Sequence, residues 1–283
     1  MRISSLCRSA LALTLTLACG SLHHAQAATI QVTIENLGLD GSTHVTPVFI
    51  GFGDGTFTPF TPGQSATTAI ERLAEDGNTG PLESAFPFPS ENRTTLVQGD
   101  GPPTFDAGES ATATFDIDLN GGTNRLLLAT MLLPTNDWFI ATQGNGVDLS
   151  GLTASSPISF ELNRLYDAGT EVNDFATSAA NGLFGLSGGQ TGPNIGTDEN
   201  GVVTFLGEIG INDRLADFEG SDPFDGRPVD FNPTLSPLRV TVSAVPEPAT
   251  CVAAGAFAIG GLVAQRRRRR KDRSQTSKTD PAS

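Results

Sequence analysis

The 283-residue sequence predicts an all-β fold: an antiparallel β-sandwich of about eight strands with one short helix, plus a hydrophobic helix near the C-terminus. Three observations predict it. Short runs alternate apolar and polar residues at the two-residue period of a half-buried strand. Clusters of Gly, Pro, Asn and Asp separate these runs. One segment between the termini carries helical spacing with both a start and a stop signal. Many short strands punctuated by turns are the pattern of an antiparallel sandwich.

Taken in order, Thr29 to Asn36 alternates through Ile30, Val32 and Ile34, and Val45 to Phe52 is a second apolar run. The helix follows: Ser65 is placed to cap it, Ile70, Leu73 and Ala74 give it one apolar face, and Gly77 ends it. Ser110 to Leu119 alternates through Ala111, Ala113, Phe115, Ile117 and Leu119. Arg125 to Leu133 is apolar on consecutive positions, as a central strand with both faces covered would be. Ser156 to Leu165 alternates again, and Val202 to Leu206 and Leu238 to Val242 are shorter runs. Gly185 to Gly196 reads as a long glycine-rich loop.

The two ends read as sorting segments. Arg2 and Arg8 precede the apolar stretch Ala10 to Cys19, and Ala25-Gln26-Ala27 is a small-x-small cleavage site. Residues 1–27 therefore read as a secretory signal peptide, cut by signal peptidase. At the other end, Ala249 to Gln265 is uncharged over 17 residues. A helix of that length reaches about 25 Å, short of a hydrocarbon core of about 30 Å, but flanking arginines can snorkel. Arg266, Arg267, Arg268, Arg269, Arg270 and Lys271 follow it and act as a membrane stop that holds residues 272–283 in the cytoplasm.

The series Val245-Pro246-Glu247-Pro248, apolar helix and arginine cluster resembles the PEP-CTERM sorting signal, here residues 245–271. That resemblance implies an exosortase as partner. It also implies a membrane-anchored stage through the C-terminal helix, followed by release to the cell surface or extracellular matrix.

The body, residues 28–244 with the first residues of the sorting motif, limits the chemistry. All three cysteines lie outside it, and His44 is its only histidine. Cysteine metal sites, thiolate catalysis and multi-histidine metal sites are excluded, and a serine triad would have to use that one imidazole. Between Ala28 and Pro248 there are seven arginines, no lysine and 29 carboxylates, a formal charge of 7 − 29 = −22. Nucleic acid is excluded as a partner on that balance. The charge fits a divalent cation or simple solubility.

Two strand ends run into acidic loops: Leu132 to Ile140, with the only tryptophan, and Leu165 to Asp174, with the only tyrosine. Asp167 and Glu171 are four apart across Ala-Gly-Thr, a turn that lets both face one point. Oxygen-only ligands on loops suit a hard cation such as calcium. Trp138 and Phe139 read as core residues. The acidic run Asp213, Asp217, Glu219, Asp222 and Asp225 has no calcium-loop spacing and reads as a solvated loop.

At these residues the sequence resembles the spondin domain, the amino-terminal domain of the F-spondin and mindin matrix proteins. The carriers are Pro134-Thr135-Asn136-Asp137-Trp138-Phe139 and Tyr166-Asp167-Ala168-Gly169-Thr170-Glu171. Thr46 to Gly55, Glu71 to Asn78 and Asp198 to Val203 are similar to bacterial members. The resemblance spans roughly Thr29 to Val242. It implies an eight-stranded antiparallel sandwich with a calcium site at one end. Asp167 and Glu171 carry over as ligands and Asp137 more loosely; Asn173 and Asp174 are nearby alternates. Glu171 stands where animal members often have Asp.

The reading is a non-enzymatic, exported cell-surface or matrix protein that binds calcium and a polysaccharide or another surface protein. Two other readings stay open: an extracellular calcium-dependent hydrolase, and a metal-free membrane-anchored structural protein.

Overall fold

Strand β6 is the centre of the architecture, and its composition explains the layers around it. The computed structural model describes residues 28–99, 102–217 and 232–245. Strands β1 (Ala28–Asn36), β2 (His44–Val45) and β3 (Val48–Gly53) come first. Helices α1 (Thr68–Asp76) and α2 (Gly80–Ala85) follow. Then come β4 (Arg93–Leu96), β5 (Ser110–Ile117) and β6 (Arg125–Leu133). β7 (Trp138–Ala141), β8 (Val147–Asp148), β9 (Ile158–Leu162) and β10 (Arg164–Asp167) continue the chain. β11 (Thr204–Glu208) and β12 (Leu238–Val245) complete it.

Two antiparallel sheets form. One has the order β5-β1-β12-β9; the other runs β11-β10-β7-β6-β3-β4, with β2 and β8 also paired to β6. Alternation places Ile30, Val32, Ile34, Phe115, Val240 and Val242 of the smaller sheet against Val48, Ile50, Phe52, Leu126, Leu128 and Ile140 of the larger. That is the sandwich core. The smaller sheet's outer face is polar: Thr33 and Thr112 hydroxyls meet at 2.8 Å, and Thr29 donates to the outward Asp116 at 3.0 Å.

The larger sheet is covered on its other face as well. Phe49, Leu127, Ala129, Phe139, Ala141 and Tyr166 pack against Ile70, Leu73 and Ala74 of α1 and Leu82 of α2. Met131 and Leu133 meet Ala179. This double cover is why β6 is apolar at consecutive positions, as the sequence predicts. Trp138 and Phe139 are fully buried, on opposite faces of β7.

Three expectations are corrected. The helix cap is Thr67, not Ser65: Thr67 Oγ1 accepts from the Ile70 N–H at 3.3 Å. Gly77 does end α1, in the left-handed conformation (φ 64°) that a glycine takes without steric cost. A second helix, α2, is too short and too rich in Gly and Pro to show a period. Strands number twelve among the described residues, because two predicted runs divide and the short strands β4, β7 and β8 lie outside the predicted runs. Val45 to Phe52 breaks at Thr46-Pro47, where proline offers no N–H to a ladder. Ser156 to Leu165 breaks at Asn163, where the chain leaves one sheet for the other.

The body's two ends meet. Thr29 pairs with Val245, the first residue of the expected sorting motif, at the end of β12. Pro246, Glu247, Pro248 and the basic cluster lie outside the described residues, as do residues 1–27 and most of the acidic run after Asp217. Among the described residues, no helix is long and apolar enough to cross a membrane.

Candidate metal centre

The turn after β6 and the loop after β10 sit side by side because β7 and β10 pair, with Trp138 opposite Asp167. Asp137 is fully buried at the start of β7. Its Oδ2 accepts from the backbone N–H groups of Thr170 (2.7 Å) and Glu171 (3.1 Å) and from the Thr170 hydroxyl (3.2 Å). Its Oδ1 is buried with no hydrogen-bond partner among the described residues. Asp167 Oδ1 accepts from the Gly169 N–H at 2.7 Å; Oδ2 accepts from Trp138 Nε1 at 3.2 Å and Asn173 Nδ2 at 3.1 Å.

Gly169 makes the turn possible. Its φ of 65° favours glycine, and a Cβ there would meet the Val202 carbonyl oxygen at 2.6 Å. That contact draws the segment 198–202 over the site: the Gly201 N–H donates to the Gly169 carbonyl at 2.7 Å and the Glu199 N–H to the Thr170 carbonyl at 3.0 Å. One carboxylate oxygen each from Asp137, Asp167 and Glu199 then lie within 4.8 Å of one another.

Glu171 is not in this trio. Its Oε1 accepts from the Gly196 N–H at 2.8 Å and its Oε2 from Asn136 Nδ2 at 3.4 Å. Of the predicted ligands, the structure therefore brings Asp137 and Asp167 together and turns Glu171 to the loop beside them. Asn173 holds Asp167, and the Asp174 N–H donates to Asn136 Oδ1 at 3.0 Å. Glu199 escapes sequence reasoning: its signal is the Asp-Glu-Asn-Gly turn at 198–201, far from Asp167 along the chain and tied to it by no spacing rule.

The electrostatics are those of a cluster short of positive charge. Burial, then the charge of Asp167, pushes Asp137 well above the carboxylate range. Burial raises Asp167 against the opposing hydrogen bonds from Asn173, Gly169 and Trp138. Glu199, an exposed residue, is raised by the partial shielding of its carboxylate and by Asp167. Among the described residues, none of these influences comes from a cationic side chain. A buried, unpaired carboxylate oxygen is costly unless a proton or a cation meets it. Three converging carboxylates offer only hard oxygen donors, so the residues fit a hard divalent cation.

The arginine that bears on Glu171 is committed elsewhere. Arg72 on α1 pairs with Glu71 (3.0 Å), Asp76 (2.6 Å) and Glu75, and it also bonds Asn194. A polar cleft of about 320 Å³ opens between α1 and the 194–201 segment, lined by Glu71, Glu75, Thr170, Asn194, Asp198 and Asn200 among others.

Hydrolytic machinery does not converge at this end among the described residues. His44 Nδ1 lies 2.7 Å from an Asp106 carboxylate oxygen and its ring packs on Phe184, with no serine or threonine hydroxyl bonded to the ring among the described residues. Asn92-Arg93-Thr94 matches a glycosylation sequon, but Asn92 is buried and donates to the Phe52 carbonyl at 3.3 Å, so it is no acceptor for a glycan in the folded chain.

Comparison with curated proteins gives no match. Comparison with family profiles gives one, described as Spondin_N, over residues 42–181. The matched segment, 140 of the 283 residues, holds β2 through β10, both helices, and Asp137, Asp167 and Glu171; it stops short of Glu199. Residues 42–181 are thus similar to the spondin N-terminal domain, and within them the Asp137 and Asp167 turns lie side by side at one end of the sandwich.

Proposed function

We propose that this chain is an exported, non-enzymatic adhesion protein whose spondin domain binds calcium at the end formed by Asp137 and Asp167. The domain type suggests an extracellular adhesion role. The observation that carries the calcium reading is the Asp137 carboxylate: fully buried, one oxygen unpartnered, and close to two further carboxylates. Calcium supplies the missing positive charge, and these residues supply the oxygens. Asp137 and Asp167 are fixed in advance by backbone N–H groups and by Trp138, which reduces the ordering that binding requires.

The N-terminal signal segment and the C-terminal sorting segment support export through signal peptidase and an exosortase, to the cell surface or matrix, with the basic cluster holding the chain at the membrane until processing. The ligand read by the adhesive surface is an extracellular polysaccharide or a surface protein.

Thermal unfolding in calcium and in chelator tests the reading. At about 100 times the dissociation constant, calcium stabilises the folded state by about 2.7 kcal/mol. For a domain of this size that is a rise in Tm of about 5–10 °C. Asp137→Asn keeps an oxygen to accept from Thr170 and Glu171 but removes the charge. It should abolish the calcium-dependent rise while leaving the chelator-treated Tm unchanged or higher. A wild-type Tm indifferent to millimolar calcium would sink the calcium reading.

A further inference from the structure

We infer that the third carboxylate ligand of the metal centre is Glu199, and that Glu171 is a positioning residue for the loop that carries it. The inference rests on the calcium reading and departs from the ligand set that local spacing and family resemblance suggest.

Both oxygens of Glu171 already accept hydrogen bonds, from the Gly196 N–H and from Asn136. Gly196 lies so close that any side chain on it would collide with the Glu171 carboxylate. The two segments are also joined along their backbones: the Val172 N–H donates to the Thr197 carbonyl at 2.8 Å, and Glu171 forms a bridge with Asp198. Glu171 thus fastens residues 196–198 in place, and Glu199 is the next residue along. Two anchors bracket it: Glu171 on one side, and the Gly201 N–H on the Gly169 carbonyl on the other. So held, Glu199 delivers its carboxylate to Asp137 and Asp167. The Asp137 carboxylate in this trio is wholly buried and keeps one oxygen unpartnered among the described residues, free to meet the ion.

An ion bound there joins three separate stretches of chain: the β6–β7 turn, the loop after β10, and the segment before β11. Its binding ties residues 196–201, already seated by these bonds, more firmly to the site. Glu171 acts on the ion only through that segment.

The single tryptophan supplies the assay. Trp138 Nε1 is hydrogen-bonded to Asp167, so terbium in the site accepts energy from it. Terbium is titrated into the purified full chain with tryptophan-selective excitation, and calcium is used to displace it. Glu199→Gln is expected to weaken terbium and calcium at least about tenfold, because a charged ligand is lost. Glu171→Gln keeps an oxygen for Gly196 and should weaken both by less than about threefold. Limited proteolysis gives a second readout: calcium should protect residues 196–201 in wild type and in Glu171→Gln, but not in Glu199→Gln.

The opposite ranking, a large loss in Glu171→Gln and none in Glu199→Gln, overturns the assignment and leaves the calcium reading standing. Equal losses overturn the positioning role of Glu171. Sensitised emission absent from the wild type removes the calcium reading itself, and this inference with it.

Discussion

Glu75 shows how one buried side chain carries a pH dependence for the whole domain. It is 2% exposed on α1, and burial pushes its carboxyl up to about 7 despite the ion pair with Arg72. The folded value lies above the ordinary 4.5, so folding favours the neutral form. Its contribution is fully present below pH about 4.5 and is lost as pH rises through about 7. Glu75→Gln should lose less stability than wild type between pH 5 and pH 8, by on the order of 2 kcal/mol, measured by urea unfolding at each pH. His44 titrates with the opposite consequence. Burial lowers it against the pull of Asp106 and Glu109, so its contribution is present above about 6.5 and lost as the pH falls through the lower folded value. Gly169 carries a steric test: Gly169→Ala forces an unfavourable φ and a clash with Val202, and should lower stability by about 2 kcal/mol or more while releasing the 198–202 segment to proteases.

Among the elements, β6 was legible in the sequence at both of its ends, because nine consecutive largely apolar residues have one simple explanation, a strand covered on both faces. The alternating strands β1 and β5 were legible for the complementary reason, one face in the core and one in water. The breaks at Thr46-Pro47 and Asn163 were not, since a chain that changes partner keeps its apolar rhythm across the change. The same limit hid Glu199. Asp137 and Asp167 sit inside recognisable motifs, and Asp167 and Glu171 share a short turn. The approach of residue 199 depends on long-range backbone pairing that no local pattern encodes. The helix start was misjudged by two residues because Ser65 and Thr67 are both good caps. The Thr67 hydroxyl makes the bond, so Thr67→Ala should cost about 1 kcal/mol in chemical denaturation and Ser65→Ala close to nothing.

For the whole molecule, the matched family segment and the folding unit differ. Residues 42–181 omit β1 and β12, the two central strands of the smaller sheet, and with them Ile30, Val32, Ile34, Val240 and Val242 of the core. A fragment limited to 42–181 would leave the inner face of the larger sheet bare, and should be insoluble or lack a cooperative unfolding transition. Residues 28–245 should unfold cooperatively, as calorimetry would show.

The pairing of Thr29 with Val245 also gives the domain a direction. Phe115, which pairs with Ile30, packs on Phe52 beside the first residues of β6. At the far end of β1, Asn36 bonds to the Thr43 and Phe105 carbonyls, next to the strand that pairs with the last residues of β6. β1 and β6 therefore run the same way, and the nine residues of β6 put about 27 Å between the pole where the chain enters and leaves and the pole of Asp137 and Asp167. The two ends of the body form its foot, and the acidic turns form its tip. On the proposed export route, processing at either end would act at the foot, one sandwich length from the acidic tip.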